Sequence, residues 1–148
     1  MKIPTHSPNG KPNGHVIIGW NVNDAPAERP DQVYHTVIAP GCVKGPHLHR
    51  IRCGRFQCVS GNVRIVTRDE QGKYGVQFSG ADHDYRIVNV KPGVAAALYN
   101  DGDVDAVVMN MPTPAWSAAE PDEHEVKDWP ALAFSVRPED IGELEVSA

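Results

Sequence analysis

The chain has 148 residues, 41% of them hydrophobic, and a formal net charge of -5 at pH 7. These values predict one domain with a single hydrophobic core, and no apolar run approaches the roughly 20 residues that a membrane-spanning helix needs. The acidic balance gives no long-range attraction to nucleic acid or to an anionic membrane, so neither is expected as a partner.

The first 30 residues are interpreted as an extended arm followed by a loop. Three prolines within residues 1 to 15 exclude a helix there, while Val16 to Ile18 predicts a short strand and Asn21 to Pro30 a polar loop. The arm shows no strand partner within its own chain. Because antiparallel barrels cover an unpaired strand edge by pairing it with another strand, a homodimer is expected. No apolar segment follows the initial charge, which indicates no secretory signal and a cytoplasmic location.

Residues 31 to 112 alternate short β-branched or aromatic segments with turn residues, which predicts an all-β barrel or sandwich of about seven or eight strands. Between two of these segments, Ser60-Gly61-Asn62 predicts a hairpin with glycine at the positive φ. The expected strands in this region are Gln32 to Ala39, Phe56 to Val59, Val63 to Thr67, Tyr74 to Ser79, Tyr85 to Val90, Ala95 to Tyr99 and Val104 to Met111.

Residues 113 to 148 form a C-terminal extension that contains the chain's helix signals. Pro121-Asp122-Glu123 and Pro138-Glu139-Asp140 each place a proline before acidic residues, as the first turn of a helix does. An apolar period of 3.6 does not continue beyond them. Each segment therefore predicts one or two helical turns.

One stretch has the composition of a site, Gly41-Cys42-Val43-Lys44-Gly45-Pro46-His47-Leu48-His49-Arg50. In an extended segment His47 and His49 project from the same face of a sheet. The neighbouring glycines let a ligand approach the backbone closely. Because imidazole exchanges protons near neutral pH, His47 is suited to proton transfer.

These residues resemble the two sequence motifs of the cupin superfamily, and the order of the motifs over about residues 31 to 130 is similar to the dTDP-4-dehydrorhamnose 3,5-epimerase-like branch. The resemblance implies a cupin double-stranded β-helix, or jelly-roll barrel, with short C-terminal helical turns. It implies a single cupin domain over residues 1 to 148, with the arm and loop at 1 to 30, the barrel core at 31 to 112 and the extension at 113 to 148. The matching segments are Gly41 with His47-Leu48-His49 and Gly61, Lys44 to His49, Arg55 to Gly61, Lys91 to Val94, Pro92 to Asn100, Val108 to Trp116 and Glu120 to Glu123.

The resemblance also implies an activity, the epimerisation or isomerisation of a dTDP-linked 4-keto-6-deoxyhexose without a metal or other cofactor. In such a reaction a base removes the proton next to the ketone, a cation or donor stabilises the enolate, and an acid returns a proton. At the matching positions His47 is the base and Lys44 contacts the diphosphate. Arg55 lies within one residue of the enolate-stabilising lysine of the family and is assigned that role.

The remaining site residues follow from position along the strands and from departures from the family pattern. Arg64 and Arg68 alternate with apolar residues, so they are expected to line a wall facing an anionic ligand, and His49 is expected to contact the substrate. Trp116 stands where the family has the tyrosine that acts as its general acid. Because tryptophan cannot protonate carbon, Trp116 is interpreted as a surface on which a base or sugar stacks. The acid is then Tyr99 or Tyr34. The carboxylate partner of the base stays open among Asp122, Asp128 and Asp140.

Two alternatives stay open. Ala96 occupies the position of the second-motif histidine, so a catalytically degenerate cupin that binds a sugar or nucleotide is one of them. A metal-dependent cupin enzyme is the other, although Gly54 stands where metal cupins carry a glutamate and only two of their four ligands remain.

Overall fold

A computed structural model gives the structure of the chain and describes residues 1–129. The strands of the barrel are β3 (Tyr34–Ile38), β4 (Val43–Leu48), β5 (Gly54–Ser60), β6 (Asn62–Arg68), β7 (Tyr74–Gly80), β8 (Ile87–Val90), β9 (Ala95–Tyr99) and β10 (Ala106–Asn110). These eight strands form two four-stranded antiparallel sheets, in the orders β3-β10-β5-β8 and β4-β9-β6-β7, and this arrangement confirms the all-β fold class.

The hydrophobic core lies between the two sheets. Its side chains come from alternate positions of the strands, because successive residues of a strand point to opposite faces. Full burial of one such side chain is worth about 1.5–3 kcal/mol, so this layer holds the sheets together. The core cluster contains Ile38, Cys58, Val63, Ile65, Val88, Leu98, Ala106 and Val108.

The turn at Gly61 joins the two sheets and does not form the predicted hairpin. β5 pairs with β10 and β8, whereas β6 pairs with β7 and β9. Gly61 has φ +73°, and a Cβ there would lie 2.9 Å from the carbonyl oxygen of Asp105. Glycine is therefore required both by the backbone and by close packing. The hairpin prediction was wrong because a corner between sheets uses the same turn residues as a hairpin.

The N-terminal arm has a strand partner within its own chain, contrary to expectation. β1 (Lys2–His6) and β2 (Pro12–Ile17) pair antiparallel, with Lys2 opposite Ile17. The strand predicted at Val16 to Ile18 is thus the end of a longer one. Both strands are largely exposed, and the reason for expecting a homodimer, an arm without a partner, no longer applies.

The helical elements differ from those predicted. Pro121-Asp122-Glu123 is irregular, because the carboxylate of Asp122 binds a neighbouring loop, while Pro138-Glu139-Asp140 lies outside the described residues. Short 3-10 turns occur instead at Pro26–Glu28, within the predicted loop, and at Ala81–His83. In the part of the chain that the structure describes, no helix is long and apolar enough to span a membrane.

Candidate active site

A cavity of about 280 Å³ lies between the two sheets, with walls from both of them. Apolar side chains such as Phe56 and Leu98 line its inner part. Charged and titratable groups are gathered around them, as expected for a site that binds and transforms a polar ligand. The positively charged and histidine side chains that line the cavity are Lys44, Arg52, Lys91, His47 and His49, and the carboxylate is that of Glu123.

An irregularity in β4 places Lys44 and His47 on the same wall. Residues three apart in a regular strand face opposite sides. Here the pairing with β9 shifts, so that Lys44 lies opposite Leu98 and His47 opposite Ala96. Gly45 lies at the shift with φ +102°, and a Cβ there would be 2.8 Å from the carbonyl oxygen of Ala96. Glycine at this position therefore permits the arrangement.

His47 is the accessible imidazole of the cavity. Its side chain is 53% exposed, and its Nδ1 lies 3.9 Å from Oε1 of Glu123. The rings of His47 and His49 are nearly parallel, with centroids 6.4 Å apart. A carboxylate facing Nδ1 favours a proton on that nitrogen, which leaves the Nε2 lone pair to act as a base.

Asp122 holds the segment that carries Glu123. Its carboxylate oxygens accept hydrogen bonds from the backbone N–H groups of Arg50, Ile51 and Arg52, at 2.8–2.9 Å. Burial of this side chain opposes ionisation, but these bonds, with a further one from His124, hold the pKa of Asp122 well below its usual range. The backbone N–H of His124 also donates to the carbonyl of Leu48 at 3.0 Å.

The structure bears on the carboxylate partner, which the sequence left open among three aspartates. Asp122 is engaged with the backbone, Asp128 does not line the cavity, and Asp140 lies outside the described residues. The carboxylate that faces His47, the predicted base, is instead that of Glu123. The sequence contains no local signal for this pairing, because it depends on how the extension crosses the barrel.

His49 is enclosed by polar partners on both ring nitrogens. Its Nδ1 faces the backbone carbonyl of Asp122, which only accepts, so Nδ1 carries the hydrogen. Its Nε2 then accepts a bond from Nη2 of Arg52 at 3.1 Å. Burial lowers the pKa of His49 below 6.5 and the positive charge of Arg52 lowers it further, while the bond to Asp122 opposes both effects.

Tyr34 lies on β3, in the sheet that faces His47 across the cavity. Its oxygen accepts a hydrogen bond from Nδ2 of Asn110 at 2.8 Å. The amide orientation of Asn110 follows from its Oδ1, which accepts the backbone N–H of Arg55 at 3.0 Å. Because the Tyr34 oxygen is the acceptor, its own O–H can donate to a ligand.

Arg55 lies on the opposite face of β5 from the cavity. The neighbouring positions, Gly54 and Phe56, line the cavity, so the alternation of the strand directs Arg55 outward. Its side chain is buried there, with Nη2 3.4 Å from Oγ1 of Thr113. The inward-facing positions are thus Gly54 and Phe56, one residue to either side of the one assigned from sequence.

Tyr99 and Arg64 also lie outside the cavity, on the outer face of the second sheet. Arg64 pairs with Asp101 through two bonds of 2.7 and 3.0 Å, and its guanidinium lies 4.3 Å from the centre of the Tyr99 ring. The Tyr99 hydroxyl accepts a bond from Trp129 at 3.1 Å, and burial raises the pKa of Tyr99. Ile65 and Leu98 of these strands belong to the core between the sheets. Arg64 and Tyr99 are adjacent to them along the strands and are therefore directed outward.

Arg68 and Trp116 lie outside the cavity as well. Arg68 donates to the backbone carbonyls of Lys127 and Asp128 and so binds the C-terminal extension. Trp116 is 55% exposed and lines a second hollow of about 200 Å³. Arg52 lines both this hollow and the main cavity. Sequence analysis did not identify Arg52, Lys91, Asn110 or Glu123, which stand in turns, at a strand end or in the extension.

The cavity was also compared with what a metal cupin requires. Gly54 and Ala96 line the cavity at the two positions where metal cupins carry a glutamate and a histidine, and neither has a ligating side chain. Within residues 1–129 no group of three or more His, Cys, Asp or Glu side chains has the arrangement of a metal site.

The structure of the chain resembles known sugar-modifying proteins. It matches a dTDP sugar isomerase from Desulfovibrio desulfuricans G20 with a TM-score of 0.78 at 18% identity, covering 95% of this chain and 90% of that one. A dTDP-4-dehydrorhamnose 3,5-epimerase from Elizabethkingia anophelis NUHP1 matches with a TM-score of 0.68 at 15% identity, covering 94% and 81%. These likenesses confirm the jelly-roll cupin fold and, at the level of the fold, the resemblance to the epimerase-like branch.

A third structural match and a family model are also found. The capsular polysaccharide assembling protein CapF from Staphylococcus aureus matches with a TM-score of 0.61 at 24% identity, over 66% of this chain and 28% of CapF. No curated protein sequence gives a significant match. The model of the polysaccharide biosynthesis C-terminal domain matches residues 22–124, which is more than half of the chain. The chain therefore belongs to the polysaccharide biosynthesis C-terminal domain family.

Proposed function

We propose that the protein is an epimerase or isomerase of a nucleotide-linked 4-keto sugar, with His47 as the base that removes the proton next to the ketone. The observation that carries this proposal is the exposed imidazole of His47 in a cavity between the sheets, with the Glu123 carboxylate 3.9 Å from its Nδ1. The cavity of about 280 Å³ has an apolar inner part with polar and charged groups around it, which suits a sugar ring. We therefore assign the sugar to the cavity.

The proposed reaction has two proton transfers. Nε2 of His47 takes the proton from the carbon beside the ketone, and the electron pair of the broken C–H bond moves to form an enolate. The ammonium groups of Lys44 and Lys91, which line the same cavity, stabilise the charge on the enolate oxygen. Glu123 stabilises the imidazolium that forms.

Tyr34 is assigned as the acid of the second step. It faces His47 from the opposite sheet, so its hydroxyl can give a proton to the other face of the enolate carbon. Protonation on that face inverts the carbon. The tyrosinate then recovers a proton, and the imidazolium loses one, through solvent. Asn110 supports this assignment, because its N–H bond to the Tyr34 oxygen stabilises the tyrosinate.

The dTDP nucleotide is the favoured carrier of the sugar. Structural neighbours named as a dTDP sugar isomerase and as a dTDP-4-dehydrorhamnose 3,5-epimerase support it, as does the exposed indole of Trp116 beside the cavity, which offers a surface for stacking of a base.

Isotope exchange tests this function. The protein is incubated with dTDP-4-keto-6-deoxyglucose in heavy water, and the ring protons are followed by NMR. We expect deuterium to replace the proton beside the ketone, and we expect His47→Ala to abolish the exchange. Exchange by the wild-type protein no faster than by His47→Ala would overturn the proposal and favour a binding cupin without catalysis.

The metal-free mechanism and the assembly state are separate parts of the proposal. Elemental analysis of the purified protein tests the first, since a stoichiometric transition metal would favour the metal-dependent alternative. The homodimer stays a prediction, supported by the edge strand β3, in which Val37 is 53% exposed, and by the preceding residue Val33, which is 54% exposed. Light scattering in solution tests it. The cytoplasmic location also stays a prediction.

A further inference from the structure

We infer that Arg52 binds the diphosphate of the substrate and that His49 is the positioning residue that holds its guanidinium in place. This inference rests on the proposed function, because it assigns the part of the ligand that lies outside the sugar cavity. It gives the second histidine of the His47-Leu48-His49 motif a role different from that of the first.

Arg52 stands at the junction of two hollows. It lines the cavity that contains His47 and also the hollow that contains Trp116. A sugar nucleotide has the same order of parts, with the sugar and the nucleoside joined by the diphosphate. If the sugar occupies the cavity and the base contacts Trp116, the diphosphate lies against Arg52.

The guanidinium of Arg52 has unused capacity for an anion. Its described side-chain partner is the ring of His49, through Nη2, and within residues 1–129 it forms no ion pair with a carboxylate side chain. Arginine presents five N–H donors in a planar fork that matches phosphate oxygens. Most of these donors therefore stay available for a ligand.

The bonding of His49 identifies it as a positioning residue. Nδ1 donates to the carbonyl of Asp122, and the Nε2 lone pair is occupied by Arg52. Neither nitrogen is then directed at a sugar carbon. The carboxylate of Asp122 also accepts the backbone N–H of Arg52, so both the backbone and the side chain of Arg52 are fixed relative to the same segment.

Calorimetric titration with dTDP, UDP and inorganic pyrophosphate tests the inference without requiring turnover. We expect Arg52→Gln to weaken the binding of all three by about tenfold to a hundredfold, the range for losing charge-assisted hydrogen bonds. The matched control is Arg50→Gln, which removes the same charge from an exposed neighbour that does not line the cavity and should leave binding unchanged.

The His49 variants separate positioning from packing. His49→Gln keeps an acceptor that can hold Arg52 and should bind dTDP nearly as the wild-type protein does, whereas His49→Leu should weaken binding several-fold. Thermal unfolding of each variant verifies that it is folded. Equal binding of dTDP by Arg52→Gln and Arg50→Gln would overturn the inference. It would also be overturned if Arg52→Gln bound dTDP and UDP more weakly but bound pyrophosphate as the wild-type protein does.

The same variants distinguish this inference from the proposed function. In the heavy-water assay we expect Arg52→Gln to raise KM while kcat changes little, because the base is intact. Binding that depends on Arg52 without any exchange by the wild-type protein would support the diphosphate assignment and overturn the epimerase. Exchange that is unaffected by Arg52→Gln in both KM and kcat would overturn the diphosphate assignment alone.

Discussion

Oε1 of Glu123 lies 3.9 Å from Nδ1 of His47, although the two residues come from distant parts of the chain. The first belongs to the C-terminal extension and the second to β4 in the barrel. The relationship makes the extension part of the site. It also predicts which acidic residue matters for the reaction.

Replacing Glu123 with glutamine should slow catalysis more than it weakens binding. The neutral amide does not stabilise the imidazolium of His47, so we expect kcat for exchange to fall about tenfold to a hundredfold, within the range for general acid–base catalysis. Initial rates of deuterium incorporation measure this. The matched control is Glu125→Gln, which changes an exposed acid that does not line the cavity; equal kcat in the two variants would contradict the pairing.

Replacing Tyr34 with phenylalanine should separate the two proton transfers. The base is intact, so deuterium still enters the substrate, but inversion of the carbon should fall about a hundredfold because the acid is missing. NMR measures exchange and epimer formation in the same sample. Tyr99→Phe is the control, since Tyr99 lies on the outer face, and it should retain both rates. Normal epimer formation by Tyr34→Phe would exclude Tyr34 as the acid.

Replacing Asp122 with alanine should lower both stability and activity. The variant leaves three backbone N–H groups without their charged acceptor, and we expect a loss of about 2 kcal/mol or more in the free energy of unfolding. Urea unfolding measures it, and the displaced Glu123 should lower the exchange rate in parallel. Unchanged stability would show that these bonds do not fix the extension.

Because the pKa of Asp122 is lowered in the folded state, the stabilisation by its carboxylate depends on pH. The folded state favours the charged carboxylate, so the stabilisation is complete above the ordinary carboxyl pKa of 3.8 and is lost as the pH falls through the lower folded-state pKa. The stability difference between the wild-type protein and Asp122→Ala should therefore shrink below pH 3.8. A constant difference down to the acid transition would contradict this prediction.

Binding of dTDP should weaken as His49 becomes protonated. The pKa of His49 lies below 6.5, so the neutral ring that accepts the Arg52 bond predominates above that pH and is lost as the pH falls through the lower value. The charged and titratable groups around it are Arg52, His47 and Lys91, with Asp122 and Glu123 from the extension.

Titrations from pH 7.5 to about pH 5 test this dependence. His49→Gln is the control, because it has no ring to protonate, while the titration of the ligand itself and of the neighbouring groups is common to both proteins. The wild-type protein should lose more affinity than His49→Gln over this range. Parallel curves would contradict a role for His49 protonation.

Local patterns predicted most of the fold. β-branched segments between turn residues indicated the strands of an all-β protein, and the spacing of His47 and His49 indicated that both face one side of a strand. Residues 1–129 contain eight barrel strands, and both imidazoles line the cavity. Such features depend on the period of a strand, which neighbouring residues determine.

Features that join distant segments could not be predicted in this way. Whether β5 and β6 form a hairpin or a corner depends on the strands that pair with each of them. Alternation along β6 places Arg64 and Ile65 on opposite faces of the strand, but it does not say which of the two faces is directed inward. Burial of the apolar set in the common core decides that, and it directs Arg64 toward Asp101 and away from the cavity.

The sequence by itself determined an all-β chain and predicted a proton-transferring histidine in a glycine-rich strand, because strand period and residue chemistry are local properties. Only the tertiary structure decided that Glu123 faces His47, that Tyr34 and not Tyr99 reaches the cavity, and that Arg52 joins two hollows. Those relationships arise where the extension and the two sheets meet. Their distances are fixed by packing between segments and not by the order of residues within any one of them.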